Sequence, residues 1–166
     1  LYSQSQNEFY RHCFTALADL PVQVVLSTGR QTDPASLAPV PDNFLVCQSV
    51  PQLEILQRTA VFVSHGGMNS VNESLYYGVP LVVVPQQLEQ LFNGRQVVQA
   101  GAGMLLGDRQ PYGRNHPGEL RQAITTLLNS PGYRQAAARI RQTFRQAGGY
   151  QRAADLIEER QRPATR

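Results

Sequence analysis

Short apolar runs alternate with longer stretches in which apolar residues recur at helical spacing, and this alternation extends along most of the 166-residue chain. Most of the short runs are rich in β-branched residues and carry few polar side chains, which is typical of strands buried in a parallel sheet. We predict five strands, at Val22–Ser27, Phe44–Gln48, Val61–Ser64, Leu81–Val84 and Met104–Leu106. Because helices separate these strands, the pattern predicts an α/β fold, a Rossmann-like parallel sheet with helices on both faces.

Proline, glycine and N-cap residue types bound the predicted helices. These helices are Ser5–Leu20, Pro51–Leu56, a helix from the N-cap types Asn69 and Ser70 to Gly78, Gln90–Ala100, Pro117–Leu128, Pro131–Gln146 and Ala153–Gln161. The polar stretches Gln31–Pro41 and Gly107–Pro117 are predicted to be loops. One domain is predicted over residues 1–160, and an Arg/Gln-rich tail over 161–166 is expected to be loose.

The segment from Val61 to Gln90 carries the strongest indication of a binding site. A buried strand there ends in a turn with two glycines and leads directly into a helix. Free backbone N–H groups and the positive end of the helix dipole make such a helix start a binding site for anions. His65, Asn69 and Ser70 add side-chain donors, so the segment suits a phosphate or a diphosphate.

Two further positions suit a nucleotide or a sugar. Glu73 follows the helix start by about one turn and can accept hydrogen bonds from sugar hydroxyls. Ser27 and Thr28 stand at the end of the first predicted strand, and ligands of open α/β sheets bind at the carboxyl ends of strands. A structural role for Glu73, as a partner of the helix dipole, remains open at this point.

Composition excludes several classes of protein. All 15 basic residues are arginines, so a P-loop lysine, a Schiff-base lysine and a lysine general base are excluded. Cys13 and Cys47 lack metal-like spacing and are expected to be reduced thiols, and no protein-borne metal site is predicted. His-Gly-Gly also occurs in the oxyanion loop of α/β-hydrolases, but the GxSxG nucleophile elbow is absent.

The charge and hydropathy of the chain are typical of a soluble protein. The net charge is only +3, and four arginines of the late helices, Arg134, Arg139, Arg141 and Arg145, are expected to form a solvated face. We therefore expect no nucleic-acid partner. No apolar run approaches the ~20 residues of a membrane span, and Leu1 does not open a signal peptide, so we expect no membrane span and a cytoplasmic location.

The central segment resembles the donor-binding signature of UDP-glycosyltransferases with the GT-B fold, and most closely that of the bacterial macrolide glycosyltransferases. Six features match in order: VPQLEIL at Val50–Leu56, HGGMNS at His65–Ser70, Glu73, GVP at Gly78–Pro80, Pro85, and Glu89-Gln90. The resemblance extends from about Asn7 to about Glu159. It implies the C-terminal, nucleotide-sugar-binding half of a GT-B enzyme.

The resemblance also assigns roles to individual residues. Diphosphate contacts are implied for the HGGMNS residues His65, Gly67, Asn69 and Ser70, ribose contacts for Glu73, base contacts for Val50 and Gln52, and sugar contacts for Glu89 and Gln90. It implies a UDP-sugar donor, a small lipophilic acceptor and no metal or other cofactor. It places the catalytic histidine and the acceptor site in an N-terminal domain, so no catalytic residue is expected in this chain.

The sequence departs from the family pattern at three points. Ser49 stands where many relatives have an aromatic residue that stacks on the base, so the affinity for the base loses that stacking contribution. Glu89 replaces a common aspartate. The strand that opens the family's domain has no counterpart before the first helix, so we expect a gap in the sheet between Val22–Ser27 and Val61–Ser64.

Three functions are therefore open. The first is the donor-binding domain of an inverting hexosyltransferase that is inactive without its acceptor domain. The second is the donor subunit of a split glycosyltransferase, with the acceptor site on a partner chain. The third is a non-catalytic nucleotide-binding or interaction module.

Overall fold

The five predicted strands are all present, each within two residues of its predicted ends. The structure, a computed structural model, describes residues 2–109 and 116–161. Its strands are β1 (Val24–Ser27), β2 (Phe44–Cys47), β3 (Phe62–Ser64), β4 (Leu81–Val83) and β5 (Gly103–Leu105).

Seven α-helices accompany these strands in the described residues. They are α1 (Tyr2–Leu17), α2 (Gln52–Leu56), α3 (Met68–Tyr77), α4 (Leu88–Gln99), α5 (Pro117–Asn129), α6 (Pro131–Gln146) and α7 (Gly149–Gln161). The predicted loop Gln31–Pro41 contains a short 3-10 helix, Pro34–Leu37, that the Asp33 carboxylate caps by accepting a hydrogen bond from the Ala35 N–H at 3.0 Å. The predicted loop between Gly107 and Pro117 lies mostly outside the described residues, as do tail residues 162–166.

The start of α3 corrects one prediction. Gly67 is the N-cap, and the helix begins at Met68, so Asn69 and Ser70 lie in the first turn instead of capping it. The glycine turn ends in an extended conformation, φ −60° and ψ 138° at Gly67, which is the backbone geometry an N-cap requires. The other end agrees with the prediction, because Gly78 takes the left-handed conformation with φ 72° and closes the helix.

The strands form two parallel sheets. β1 pairs with β2 in one sheet, and β3, β4 and β5 follow one another in the second. Within the described ranges, no hydrogen-bonded pairing joins β1 to β3, and the predicted gap between these two strands is confirmed. The strands thus form two separate parallel sheets where the complete family domain would have one continuous sheet.

Alternation along β4 explains how one strand serves two cores. Leu81, Val82 and Val83 have no exposed surface, and successive side chains of a strand point to opposite faces. Val82 packs into a core formed with α1, α5 and the strands β1 and β2, whereas Leu81 and Val83 pack into a second core with α3 and α6. Helices therefore cover both faces, as predicted. The first core also holds the two sheets together.

Two further expectations concern the thiols and the membrane. Cys13 and Cys47 are unpaired. Burial raises the pKa of the Cys13 thiol to about 12, which keeps that thiol neutral and unreactive near pH 7. Among the described helices, none combines the length and the apolar character needed to span a bilayer.

We expect Gly103→Ala to destabilise the fold. Gly103 lies opposite Leu81 in the β4–β5 pairing, where an added methyl group would collide with the Leu81 carbonyl oxygen and lie 2.7 Å from Val97 Cγ1. Overpacking of this kind costs about 1–3 kcal/mol, and each kcal/mol lowers the Tm of a domain this size by about 2–4 °C. Thermal unfolding followed by circular dichroism measures the effect. Gly132→Ala is the matched control, because a methyl group there meets nothing within 4 Å; equal Tm values for the two variants would contradict the prediction.

Candidate functional site

The candidate site lies at the carboxyl ends of the strands, where the loops after β2, β3 and β4 meet. Strands β3 and β4 are parallel neighbours, so the loops that follow them lie at one edge of their sheet, and the Gln52–Glu73 hydrogen bond brings the segment after β2 to the same place. Side-chain hydrogen bonds join α2 to α3 and join α4 to the turn after β3. Residues that are 21 to 27 positions apart in sequence are thereby brought together.

The turn His65-Gly66-Gly67 positions the start of α3. Gly66 has φ +87°, a conformation that side chains rarely adopt, and a Cβ at this position would lie 2.6 Å from Val83 Cγ1. The Gly66 N–H donates to the Ser64 hydroxyl at 3.2 Å, which holds the turn against the end of β3. Gly67 brings no side-chain acceptor to the first-turn N–H groups of the helix. These N–H groups are therefore available to an anion.

His65 lies directly beside this helix start. Its side chain is exposed, and its Nε2 atom is 2.7 Å from the point that a Cβ of Gly67 would occupy. The Nε2 edge of the ring therefore lies against Gly67, the N-cap of the helix. Any residue larger than glycine at position 67 would displace the ring. Asn69 and Ser70 belong to the same first turn, Asn69 exposed and Ser70 half-buried.

Glu73 and Gln52 are in direct contact. The Gln52 Nε2 group donates to Glu73 Oε2 at 2.6 Å, and both residues are half-buried. Gln52 is the first residue of α2, and Glu73 lies in the second turn of α3. The predicted base-contacting segment and the predicted ribose-contacting carboxylate are thus one structural unit.

Glu89 and Gln90 lie at the start of α4, next to the glycine turn. Glu89 is exposed, whereas Gln90 is buried and accepts a hydrogen bond from the Gln86 N–H at 2.8 Å through its side-chain oxygen. The Gln90 carbonyl oxygen is 3.1 Å from the point where a Gly66 Cβ would lie. The first turn of α4 therefore packs on the turn that carries His65.

A residue that the sequence reasoning missed, Asn93, connects these parts. Its Nδ2 group donates to the Gly66 carbonyl oxygen at 2.9 Å and to Glu89 Oε1 at 2.6 Å. The available signal was its spacing, because residues i and i+4 on a helix are neighbours and Asn93 follows Glu89 by four.

Three other predicted ligand residues have no side-chain hydrogen bond to the residues described above. Ser27 is exposed at the end of β1, with its hydroxyl 3.4 Å from the Gln48 carbonyl oxygen. Thr28 is only 4% exposed and its hydroxyl donates to the Thr32 carbonyl oxygen at 2.9 Å, so this side chain is engaged within the protein. Val50 is half-buried between β2 and α2, beside the exposed Ser49. The ligand roles of Ser27, Thr28 and Val50 remain predictions.

The remaining histidines are placed away from the glycine turn. His116 is the N-cap of α5, where its Nδ1 atom accepts a hydrogen bond from the Gly118 N–H at 3.2 Å and the Glu119 carboxylate accepts one from the His116 N–H at 2.8 Å. His12 lies on α1 with its Nε2 atom 3.9 Å from Glu8 Oε1. Both side chains thus have partners of their own within the protein. Residues 2–109 and 116–161 contain no group of three histidines, cysteines or carboxylates that could hold a metal ion.

Comparison with known proteins gives consistent matches. The family model for the "Erythromycin biosynthesis protein CIII-like, C-terminal domain" matches residues 11–149. NDP-glycosyltransferase YjiC of Bacillus subtilis is 39% identical over 91% of this chain and 38% of that protein. Oleandomycin glycosyltransferase of Streptomyces antibioticus is 36% identical over 95% of this chain and 38% of that protein.

Solved glycosyltransferase structures also match the fold. The glycotransferase of kitacinnamycin superposes with a TM-score of 0.84 at 39% identity, covering 94% of this chain and 40% of its own. CalG4, the calicheamicin glycosyltransferase, gives a TM-score of 0.83 at 33% identity over 92% and 39% of the two chains. Glycosyltransferase VinC, solved in complex with dTDP, gives 0.70 at 26% identity over 79% and 32%. The chain spans about one third to two fifths of the length of these relatives.

Proposed function

Because this chain belongs to the family of EryCIII-like C-terminal domains of macrolide-type GT-B glycosyltransferases, we propose that it binds UDP-hexose for an inverting transfer to a hydroxyl of a small lipophilic acceptor. The observation that carries the proposal is the placement of the His65 ring over Gly67, at a start of α3 that has no side-chain cap. The Nε2 edge of the ring, the uncapped backbone N–H groups and the positive end of the helix dipole all lie at this residue. A diphosphate is the part of the donor that fits such an arrangement.

The nucleoside fits the unit formed by Gln52 and Glu73. A carboxylate accepts hydrogen bonds from both hydroxyls of a ribose, and the amide of Gln52 holds Glu73 in place before the ligand arrives. Backbone groups around Val50 are available to read the edge of the base. Ser49 offers no aromatic face, so the domain loses a stacking contribution of about 1–3 kcal/mol that an aromatic residue would give.

The hexose fits the start of α4. The exposed carboxylate of Glu89 can accept hydrogen bonds from sugar hydroxyls, and its attachment to Asn93 orients it beside the glycine turn. Gln90 is buried and tied to the Gln86 backbone, so its contribution to a sugar contact would require that bond to be exchanged.

In the proposed reaction, the acceptor oxygen attacks the anomeric carbon from the face opposite the diphosphate. The bond between that carbon and the phosphate oxygen breaks, and UDP leaves with the electron pair. The helix start and His65 stabilise the charge that grows on the diphosphate in the transition state. The proton of the acceptor hydroxyl passes to a base outside this chain, supplied by an N-terminal domain or by a partner chain. No metal ion is required by this scheme.

Titration of the chain with UDP, TDP, GDP and inorganic phosphate by isothermal calorimetry tests the proposal. We expect UDP to bind most tightly and phosphate much more weakly, because only the nucleotide engages both the α3 start and the Gln52–Glu73 unit. VinC, a structural relative at 26% identity, was solved with dTDP, which makes TDP the informative competitor. Preferential binding of TDP would show that the domain recognises thymine and not uracil. Absence of binding by every nucleotide would overturn the proposal and leave a non-catalytic interaction module.

A further inference from the structure

Asn93 lies almost entirely inside the protein, yet both hydrogens of its side-chain amide are directed at the candidate site. The residue is 7% exposed and lies on α4. Its amide nitrogen carries two N–H bonds, and the two acceptors within hydrogen-bond distance are the Gly66 carbonyl oxygen and Glu89 Oε1. The donor capacity of this amide is therefore fully used.

The two acceptors belong to different parts of the site. Gly66, with its positive φ, is the centre of the turn that places His65 and the start of α3. Glu89 is the exposed carboxylate assigned to the hexose. A single buried side chain thus connects the diphosphate end of the site to its sugar end.

The packing around Asn93 makes this connection rigid. Gly94, the next residue, approaches so closely that a Cβ there would lie 2.7 Å from Leu105 Cδ1 and 3.0 Å from Val83 Cγ1. The helix is therefore seated against β4 and β5 at the residue beside Asn93, and the two hydrogen bonds of the amide hold the side chain between Gly66 and Glu89. A glutamate at an exposed helix start otherwise has three rotatable side-chain bonds, and Asn93 fixes one oxygen of it.

We infer that Asn93 is a positioning residue that aligns the Glu89 carboxylate with the diphosphate turn and so confers preference for nucleotide sugar over nucleotide. This inference rests on the function proposed above. Asn93 itself does not reach the ligand; it acts through Glu89 and Gly66. The second oxygen of Glu89 is left for the hexose hydroxyls.

The measured quantity is the ratio of the dissociation constants for UDP and UDP-glucose. We expect Glu89→Ala to lower the relative affinity for UDP-glucose by about tenfold, as the loss of a hydrogen bond to a charged group predicts. Asn93→Ala is expected to lower the same ratio by a similar factor. It should also weaken UDP binding, because the Gly66 turn loosens, but by less than it weakens UDP-glucose binding. Gln96→Ala, an exposed position of the same helix, is the control and is expected to leave both constants unchanged.

The double variant separates positioning from a purely structural role. If Asn93 acts on the sugar through Glu89, adding Asn93→Ala to Glu89→Ala changes the ratio no further. A ratio that falls further in the double variant, or an Asn93→Ala variant that weakens both ligands equally, overturns the inference. An unchanged ratio in Glu89→Ala overturns it as well.

A variant of equal size covers the case in which Asn93→Ala does not fold. Asn93→Asp leaves no cavity, removes both N–H donors and places a second carboxylate beside Glu89, so it is expected to lower the ratio too. If the Asn93→Asp variant folds and its ratio of the UDP and UDP-glucose dissociation constants is unchanged, the inference is wrong. If the unmodified chain binds UDP but not UDP-glucose, the nucleotide site stands and the sugar alignment fails; if it binds neither, the proposed function fails with it.

Discussion

Replacing His65 with alanine is expected to weaken UDP binding by about 10- to 150-fold while leaving uridine binding nearly unchanged. The ring borders the start of α3, and a hydrogen bond to a charged phosphate is worth about 1.5–3 kcal/mol. Glu73→Ala is expected to weaken UDP and uridine by similar factors, because the ribose is common to both ligands. The contrast between the two variants locates the phosphate and the ribose within the site.

Calorimetric titration of each variant with UDP and with uridine measures this contrast. His12→Ala is the control for the loss of a histidine, since His12 lies on α1 beside Glu8. Glu158→Ala, at an exposed position of α7, is the control for the loss of a carboxylate. If neither site variant changes the UDP dissociation constant by as much as threefold, the site has been assigned to the wrong residues.

No sugar transfer is expected from this polypeptide alone. An inverting transfer needs a general base within about 2.6–3.2 Å of the acceptor hydroxyl, or one water away. His65 is assigned to the diphosphate, His116 caps α5 and His12 lies on α1, and the chain has no lysine. Without an opposing domain, the donor site is also open to water, so orientation of the acceptor is lost.

The activity prediction is checked by mixing the purified chain with UDP-glucose and a flavonoid or macrolide acceptor. Mass spectrometry should detect no glycoside, whereas a full-length glycosyltransferase of the family, assayed in parallel, should form it. Sustained turnover by the chain alone would show that the base lies within these 166 residues. In that case the division of labour between two domains would be mistaken.

The strands were predictable because burial on both faces leaves a strong signal in the sequence. Leu81 to Val83 is an uninterrupted apolar run, and it is the most deeply buried strand in the described chain. The start of α3 was harder to predict. Asn69 and Ser70 are favoured N-cap types, but the backbone at Gly67 already had the extended geometry that precedes a helix, so the cap fell two residues earlier.

Burial also separates the polar residues of the site. Ser27, the last residue of β1, is exposed, whereas Thr28, just after the strand, is 4% exposed and donates to the Thr32 carbonyl oxygen. Because this hydrogen bond is made to the following loop, the strand pattern does not predict it. Asn93 was missed because a polar residue on an amphipathic helix is usually solvated, and only the three-dimensional approach of α4 to Gly66 buries it. The gap between β1 and β3 came from the family resemblance and not from the local pattern.

The hydrogen bond between Gln52 and Glu73 has a consequence for how the protein holds together. It joins α2, which follows the two-stranded sheet, to α3, which begins just after the first strand of the three-stranded sheet. The two sheets share no strand pairing among the described residues, and the core that contains residues of both also holds them together. A nucleotide that touches both α2 and α3 would add contacts across this divided sheet, and by binding the folded state it would stabilise that state by about 2.7 kcal/mol at a hundredfold excess over its Kd. In this view the proposed donor acts as a tie across a divided sheet.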